Sequence, residues 1–309
     1  YAVAPGLMVP ESITRAADLI AYWPFDEGSG TQTTDQSGNS HDIANIGGAT
    51  WAEGKLGKAL SYNAGSTALP LAAHPPASGT EFSISFWSYG DPANLPGKNT
   101  SVMESNGPAN RIINIHHPWG NGNVYWDVGN GGVDRISKNP GATHLWGNWT
   151  HWVFIHNRST GVMKWYMNGV LGHSGTGKTL TMGVANRWYL GSNRNGNGSY
   201  WYGKVDELRI YEVELSSFDI ESIYREAAGS PLDLGEGDYT ISTWFKPSGN
   251  PGYVPGLTAG GLTGNISMAP NPGNLDSNTA NSGAVNGVDP IGPNVAWKNK
   301  PTWKDNWTV

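Results

Sequence analysis

The sequence contains no cysteine, so no disulfide framework exists, and stability must come from core size, bound metal or assembly. Charge is scarce as well: Asp, Glu, Lys and Arg make up 14% of the 309 residues, and the formal net charge is −6. A nucleic-acid partner usually requires a basic face, and this balance argues against one. No run approaches the roughly 18 apolar residues that a membrane-crossing helix needs, so no membrane insertion is expected. The chain starts at Tyr1 with no charged-then-apolar leader before it, which reads as a removed signal peptide or a fragment.

What is abundant is glycine, with 43 residues, and tryptophan, with 15. Hydrophobic content of 38% still builds a core when so much of it is aromatic, because each ring buries a large area. Glycine weakens helices but suits the turns between short strands. The expected class is all-β. Asn99-Thr100-Ser101, Asn148-Trp149-Thr150, Asn157-Arg158-Ser159, Asn197-Gly198-Ser199, Asn265-Ile266-Ser267 and Asn306-Trp307-Thr308 fit the glycosylation pattern. In a chain this rich in Asn, Ser and Thr, chance accounts for most of them.

Residues 1–17 carry no clear period and read as an arm or linker. Leu19 to Phe25 predicts a first strand, followed by the turns Asp26-Glu27-Gly28-Ser29-Gly30 and Asp35-Gln36-Ser37-Gly38-Asn39. Phe82, Ile84 and Phe86 alternate with Ser83 and Ser85, the period of a half-buried strand. Trp149 to Ile155 and Met163 to Met167 are further strands, the latter ending in the turn Asn168-Gly169. Trp188 to Gly191 and Val205 to Tyr211 follow. One helix is expected, with Ser216 as cap and Asp219 as its reciprocal partner. Ile220, Ile223, Tyr224 and Ala227 then share a face, and Gly229 and Pro231 end it.

After this helix the pattern restarts. Asp238-Tyr239-Thr240-Ile241-Ser242-Thr243-Trp244 copies Glu81-Phe82-Ser83-Ile84-Ser85-Phe86-Trp87 at an offset of 157, and Asn306-Trp307-Thr308 copies Asn148-Trp149-Thr150 at 158. Two anchors this far apart point to a tandem repeat. The division is an arm at 1–17, a first domain at 18–228 and an incomplete second copy at 229–309. The second copy lacks a counterpart of Tyr22-Trp23-Pro24-Phe25-Asp26, and its middle, Pro247 to Asn294, reads as long loops. Half a sandwich exposes strand edges, so this part is expected to continue in a longer chain, pack on the first domain or borrow strands.

Ala21-Tyr22-Trp23-Pro24-Phe25-Asp26-Glu27-Gly28-Ser29-Gly30-Thr31 opens a series of diagnostic segments. The series continues through Asp35 to Asn39, Phe82 to Trp87, Trp149 to Val153, Trp165 to Gly169 and Tyr202 to Tyr211 with its trailing helix. Together they cover roughly residues 19–226. In that order they resemble the laminin-G-like, concanavalin A-like lectin/glucanase superfamily of secreted bacterial multidomain proteins. The resemblance implies an antiparallel jelly-roll β-sandwich, often with a structural Ca2+, in modules that bind glycans, mediate adhesion or serve as spacers. It also implies that Asp26 and Asp206 sit close together where the first and last strands meet.

The pattern supports calcium independently. Asp206 shares the apolar side of its strand with Leu208 and Ile210, and an unpaired buried carboxylate is costly. The turn from Asp26 to Gly30, with Asp35 behind it, supplies the hard oxygens that Ca2+ prefers. Hydrogen bonds from a turn backbone would satisfy Asp206 equally well. For sugar binding, the stretch from Arg111 to Asp134 offers His116, His117, Trp119, Asn121, Asn123, Tyr125, Trp126 and Asp127, with Arg135 just after it, and the loop from Asn193 to Tyr202 offers Arg194 and Trp201. Trp126 and Trp201 fit equally as core residues. His116 and His117 are adjacent on a strand, point to opposite faces and make poor co-ligands.

Glucanases of this fold need paired acids about 5 Å apart, in the pattern Glu-x-Asp-x-x-Glu. No such array occurs; Glu53, Glu104, Asp127 and Asp134 stand isolated, and no enzymatic activity is expected. The expected role is a secreted, calcium-stabilised module that binds a glycan or cell-surface ligand. The alternative is a structural subunit that self-associates into a filament or surface layer by strand donation.

Overall fold

A computed structural model describes residues 14–72, 80–107, 111–129, 134–181, 183–228, 254–258 and 265–268. The chain divides into two compact units, Tyr1–Ala227 and Ala228–Val309. In chain order the first unit contains β1 (Leu19–Trp23), β2 (Ala49–Glu53), β3 (Lys58–Asn63), β4 (Thr67–Leu69), β5 (Glu81–Gly90), β6 (Met103–Asn106), β7 (Arg111–His116), β8 (Val124–Val128) and β9 (Asp134–Lys138). There follow the single-turn helix α1 (Ala142–Leu145), β10 (Trp149–Asn157), β11 (Val162–Met167), β12 (Val170–Gly175), β13 (Arg187–Leu190), β14 (Tyr202–Tyr211) and helix α2 (Ser217–Ala228).

The strands form two antiparallel sheets. One runs β12-β11-β10-β5-β14-β3-β2, and the other β4-β13-β6-β7-β8-β9. β14 holds the first sheet together. Residues 203–206 and 209–211 pair with β5 on one side; on the other, residues 202–205 pair with β3 and residues 208–211 with β1. First and last strands are therefore neighbours, as the resemblance implies. Between the sheets lies a core to which Phe82, Ile84, Phe86, Trp152 and Phe154 contribute from one side and Ile113, Ile115, Trp126 and Trp188 from the other. Trp126 bridges the layers, donating its Nε1–H to the Ile155 carbonyl at 2.8 Å.

Local chemistry explains the connections. β11 and β12 are joined by Asn168 (φ 48°) and Gly169 (φ 81°), two successive left-handed residues that match the twist of a hairpin. The Ser216 hydroxyl accepts from Asp219 N at 3.1 Å, while the Asp219 carboxylate accepts from Ser216 N at 2.9 Å, the reciprocal cap expected for α2. Ile220 and Ile223 of α2 pack on Val153, Ile155 and Tyr211 in a second cluster outside the larger sheet. That cover explains why Ser83, Ser85 and Ser88 are buried as well: the sheet has apolar material on both faces.

Strict alternation fails in β14. Its register with β5 shifts between Asp206 and Arg209, and Glu207 adopts φ 54°. The bulge buries Asp206, Glu207, Leu208 and Arg209 together, so the single apolar face expected for Asp206, Leu208 and Ile210 is interrupted. In the second unit, β15 (Val254–Thr258) and β16 (Asn265–Met268) pair antiparallel. They fall within the stretch from Pro247 to Asn294 expected as long loops, whose other residues lie outside the described ones. The motifs at 238–244 and 306–308, and residues 1–13 of the arm, lie outside the described residues.

Candidate functional site

The outer face of the smaller sheet is built by the period of two. Val124, Trp126 and Val128 of β8 enter the core, which sends Tyr125 and Asp127 outward. Ile113 and Ile115 do the same for Asn114 and His116 on β7, and Ile136 for Arg135 on β9. Strand registers then place Tyr189, Glu104, Asn114, Asp127 and Arg135 directly opposite one another across five strands.

Two carboxylates at the centre of this row organise it, and both are almost wholly buried. Glu104 Oε1 accepts from Arg111 Nε at 2.7 Å and from Arg194 Nη1 at 3.0 Å. Asp127 takes a two-pronged contact from Arg135, Nε to Oδ1 at 2.6 Å and Nη2 to Oδ2 at 2.7 Å. Arg111 Nη1 and Asn114 Nδ2 each lie 3.4 Å from Asp127 Oδ2. Guanidinium forks match carboxylates in plane and fix one another's rotamers.

Aromatic groups rim the row. Arg135 stacks over the Tyr125 ring with 5.0 Å to its centroid. Asn121 Nδ2 donates to the Tyr125 hydroxyl at 2.8 Å. The Trp119 ring lies 4.2 Å from that of His116, at the start of a turn closed by Trp119 N to Asn123 O at 2.8 Å. His116 Nδ1 lies 3.0 Å from the Thr100 carbonyl oxygen, and burial lowers its pKa to about 4. It is neutral at physiological pH, with its Nδ1–H donated to that carbonyl.

Five of the six residues expected to bind ligand thus meet on one face: Trp119, Asn121, Tyr125, Asp127 and Arg194. Trp201 does not. It is fully buried, with its ring 6.3 Å from His117 and 6.5 Å from Tyr62, because the Trp201 to Tyr202 step starts β14 with its odd residue turned inward. Asp127 also differs in role: a side chain 1% exposed sets arginines in place instead of presenting its own oxygens. The residues that sequence reasoning missed are Glu104, Asn114 and Tyr189. Alternation within each strand carries their outward orientation, but nothing local reveals that they share a row. His116 and His117 do point to opposite faces, His117 into the core against Trp152 at 4.5 Å.

The acidic residues expected to hold a metal separate into two places. Asp26 and Asp206 converge on one turn between β2 and β3. Asp26 Oδ1 accepts from Lys58 N at 2.8 Å; Asp206 Oδ2 accepts from Lys55 N at 2.7 Å and Leu56 N at 3.0 Å. Close approach requires glycine there: a Cβ on Gly57 (φ +40°) would lie 2.0 Å from Asp26 Oδ1, and one on Gly54 would lie 2.6 Å from Asp206 Oδ2. Burial dominates Asp206 and pushes its pKa up to about 8 against the backbone donors that lower it. Asp206 Oδ1 also accepts from Glu207 N at 2.9 Å, so backbone donors reach both of its oxygens. Asp35 is elsewhere engaged. Its oxygens accept from Tyr22 N (2.9 Å), Ser37 N (2.8 Å), Ser37 Oγ (2.7 Å) and His41 N (3.0 Å). Burial works against its charge, but these donors outweigh it and hold the carboxyl below the usual range. Asp35 ties the 35–41 turn to β1. Among the described residues, no group of three or more His, Cys, Asp or Glu is arranged to hold a metal, and no helix is long and apolar enough to cross a membrane.

Residues 63–221 match the profile of the concanavalin A-like lectin/glucanases superfamily. A comparison with curated proteins yields no match. Among solved structures, the chain is similar to domain 4 of AbnA, an extracellular arabinanase from Geobacillus stearothermophilus, in complex with arabinotriose. Identity is 26%, the TM-score is 0.53, and the alignment covers 67% of this chain and 98% of that domain. The binding domain of Paraclostridial Mosquitocidal Protein 1 aligns at 18% identity and TM-score 0.52, over 72% of this chain and 57% of that one. The binding domain of botulinum neurotoxin DC in complex with rat synaptotagmin II aligns at 16% and 0.54, over 69% and 52%. The chain spans little more than half of each toxin domain, and these two likenesses carry the fold alone.

Proposed function

Because the chain belongs to the concanavalin A-like lectin/glucanases superfamily, we propose that it is an extracellular, non-catalytic carbohydrate-binding module whose sugar site is the outer face of the smaller sheet. The observation that carries this reading is the row of pre-set polar side chains flanked by Trp119 and Tyr125. Sugars are recognised by fixed hydrogen-bond donors beside aromatic surfaces, and a side chain already locked by buried partners loses little entropy on binding. The arabinotriose complex of the arabinanase domain, aligned over nearly its whole length, supports the same reading and an extracellular setting. Binding is favoured over hydrolysis because both acids are 1% exposed, Glu104 Oε1 being held by Arg111 and Arg194 and both Asp127 oxygens by Arg135, which presents neither acid to a glycosidic oxygen.

A structural Ca2+ at the turn between β2 and β3, held by Asp26 and Asp206, completes the proposal. Such an ion would supply positive charge to a carboxylate that burial otherwise drives toward protonation. The two aspartates would then tie the segment after β1 and the bulge of β14 to the same turn.

The test is calorimetric titration of the full chain with arabino-oligosaccharides and a panel of other oligosaccharides. Tyr125→Ala and Trp119→Ala are expected to abolish binding without shifting the melting temperature. Sugar binding that survives both substitutions places the site on another face.

A further inference from the structure

We propose that the sugar taken by this face is anionic, carrying a carboxylate or sulfate group that the arginines Arg135 and Arg194 grip; the inference rests on the face being the sugar site. The decisive feature is which charges reach solvent. Glu104 and Asp127 side chains are 1% exposed, whereas those of Arg111, Arg135 and Arg194 are 26%, 42% and 33% exposed. The carboxylates lie beneath, and an approaching ligand meets guanidinium. Three cations stand over two anions, and His116 adds no charge because burial keeps it neutral. Arg187 adds a further positive group: its register with Asn106 and its two-residue spacing from Tyr189 put it on the same face, and it is exposed. The concentration is local, since the whole chain has a formal charge of −6.

The donor geometry is specific. Arg135 uses Nε and Nη2 on Asp127, so its Nη1 faces away from that contact. Arg194 engages Glu104 through Nη1, with Nε and Nη2 further donors on the same fork. A planar or tetrahedral anion takes two such N–H groups at once. The aromatic rings of Trp119 and Tyr125 alongside would carry the sugar ring that bears the anion.

The experiment compares oligogalacturonate, a sulfated heparin-type oligosaccharide and a neutral oligosaccharide of equal length on the full chain by calorimetry, for wild type and four variants. One or both anionic sugars are expected to bind at least about tenfold tighter than the neutral one, the worth of one charge-assisted contact. Arg135→Gln and Arg194→Gln are each expected to remove about that factor. Arg135→Lys, which keeps charge but lacks the fork, should retain only part of it. Arg225→Gln, on α2 over the other sheet, should change nothing. Raising ionic strength from 0.05 to 0.5 M should weaken anionic binding severalfold. Melting curves confirm folding; Arg194→Gln leaves Glu104 with Arg111, so at least that variant stays folded. Which anion binds identifies carboxylate or sulfate. Equal affinity for neutral and anionic sugars overturns the anion preference and leaves the sugar site standing; anionic binding untouched by both Gln substitutions overturns the grip by Arg135 and Arg194. Absence of binding to every sugar overturns the site itself.

Discussion

Lowering the pH from 6 to 5 is expected to weaken the first unit by about 2 kcal/mol, and filling the proposed cation site is expected to steepen that loss. His116, His117 and His151 are buried neutral, with pKa values lowered by desolvation to about 4, about 4 and about 3. The unfolded chain takes up a proton on each near pH 6.5 while the folded chain does not. Their contribution is therefore complete above pH 6.5 and lost as pH falls toward 4. Asp206 acts in the opposite sense. Its folded pKa is raised to about 8 from 3.8, so the native state holds a proton that the unfolded state lacks, and stability gains as pH falls through that window. One proton is worth about 1.4 kcal/mol per pH unit. Near pH 5.5 three incompletely protonated histidines less one aspartate leave a net slope of about 2 kcal/mol per unit. His156 and His173, also lowered by burial, act with the histidines, and Glu207, raised by burial, acts with Asp206. A bound Ca2+ would keep Asp206 ionised and cancel its opposing proton, raising the slope to about 4 kcal/mol per unit. Denaturant unfolding followed by tryptophan fluorescence from pH 7 to pH 5, in chelator and in excess Ca2+, measures both slopes. Stability that is flat between pH 6 and pH 5 refutes the histidine reasoning. Equal slopes with and without Ca2+ refute cation binding at Asp206.

Gly57→Ala is expected to lower the melting temperature and to abolish any calcium response, because its Cβ falls on Asp26 Oδ1 in a left-handed conformation; thermal scans with and without chelator check it. Trp126→Ala removes a fully buried ring and its bond to Ile155, and should cost about 3–5 kcal/mol, or about 10 °C in melting temperature. Asp219→Ala breaks the reciprocal cap of α2 and should cost about 1 kcal/mol in denaturant unfolding while leaving sugar binding unchanged.

Much of the sandwich was legible because its signals lie between adjacent residues. Phe82, Ile84 and Phe86 declare a strand by period alone, Asn168-Gly169 declares a hairpin by the φ values these residues tolerate, and Ser216 with Asp219 declares a helix start by side-chain reach. The same local signals gathered Trp119, Asn121, Tyr125 and Asp127 into one candidate surface, since all lie within a turn and the strand after it. Only tertiary structure added Glu104, by strand register between segments far apart in the chain, and Arg194, by its contact with Glu104. Register likewise decided that the carboxylates lie under the arginines and not above them. Trp201 went to the core and Asp206 entered a bulge for a related reason: a long-range neighbour, Tyr62 in one case and the β2–β3 turn in the other, fixed what the local period left open. The amino-acid pattern determined which residues were candidates; the packing of two sheets decided which of them share the outer face of the smaller sheet and with what charge.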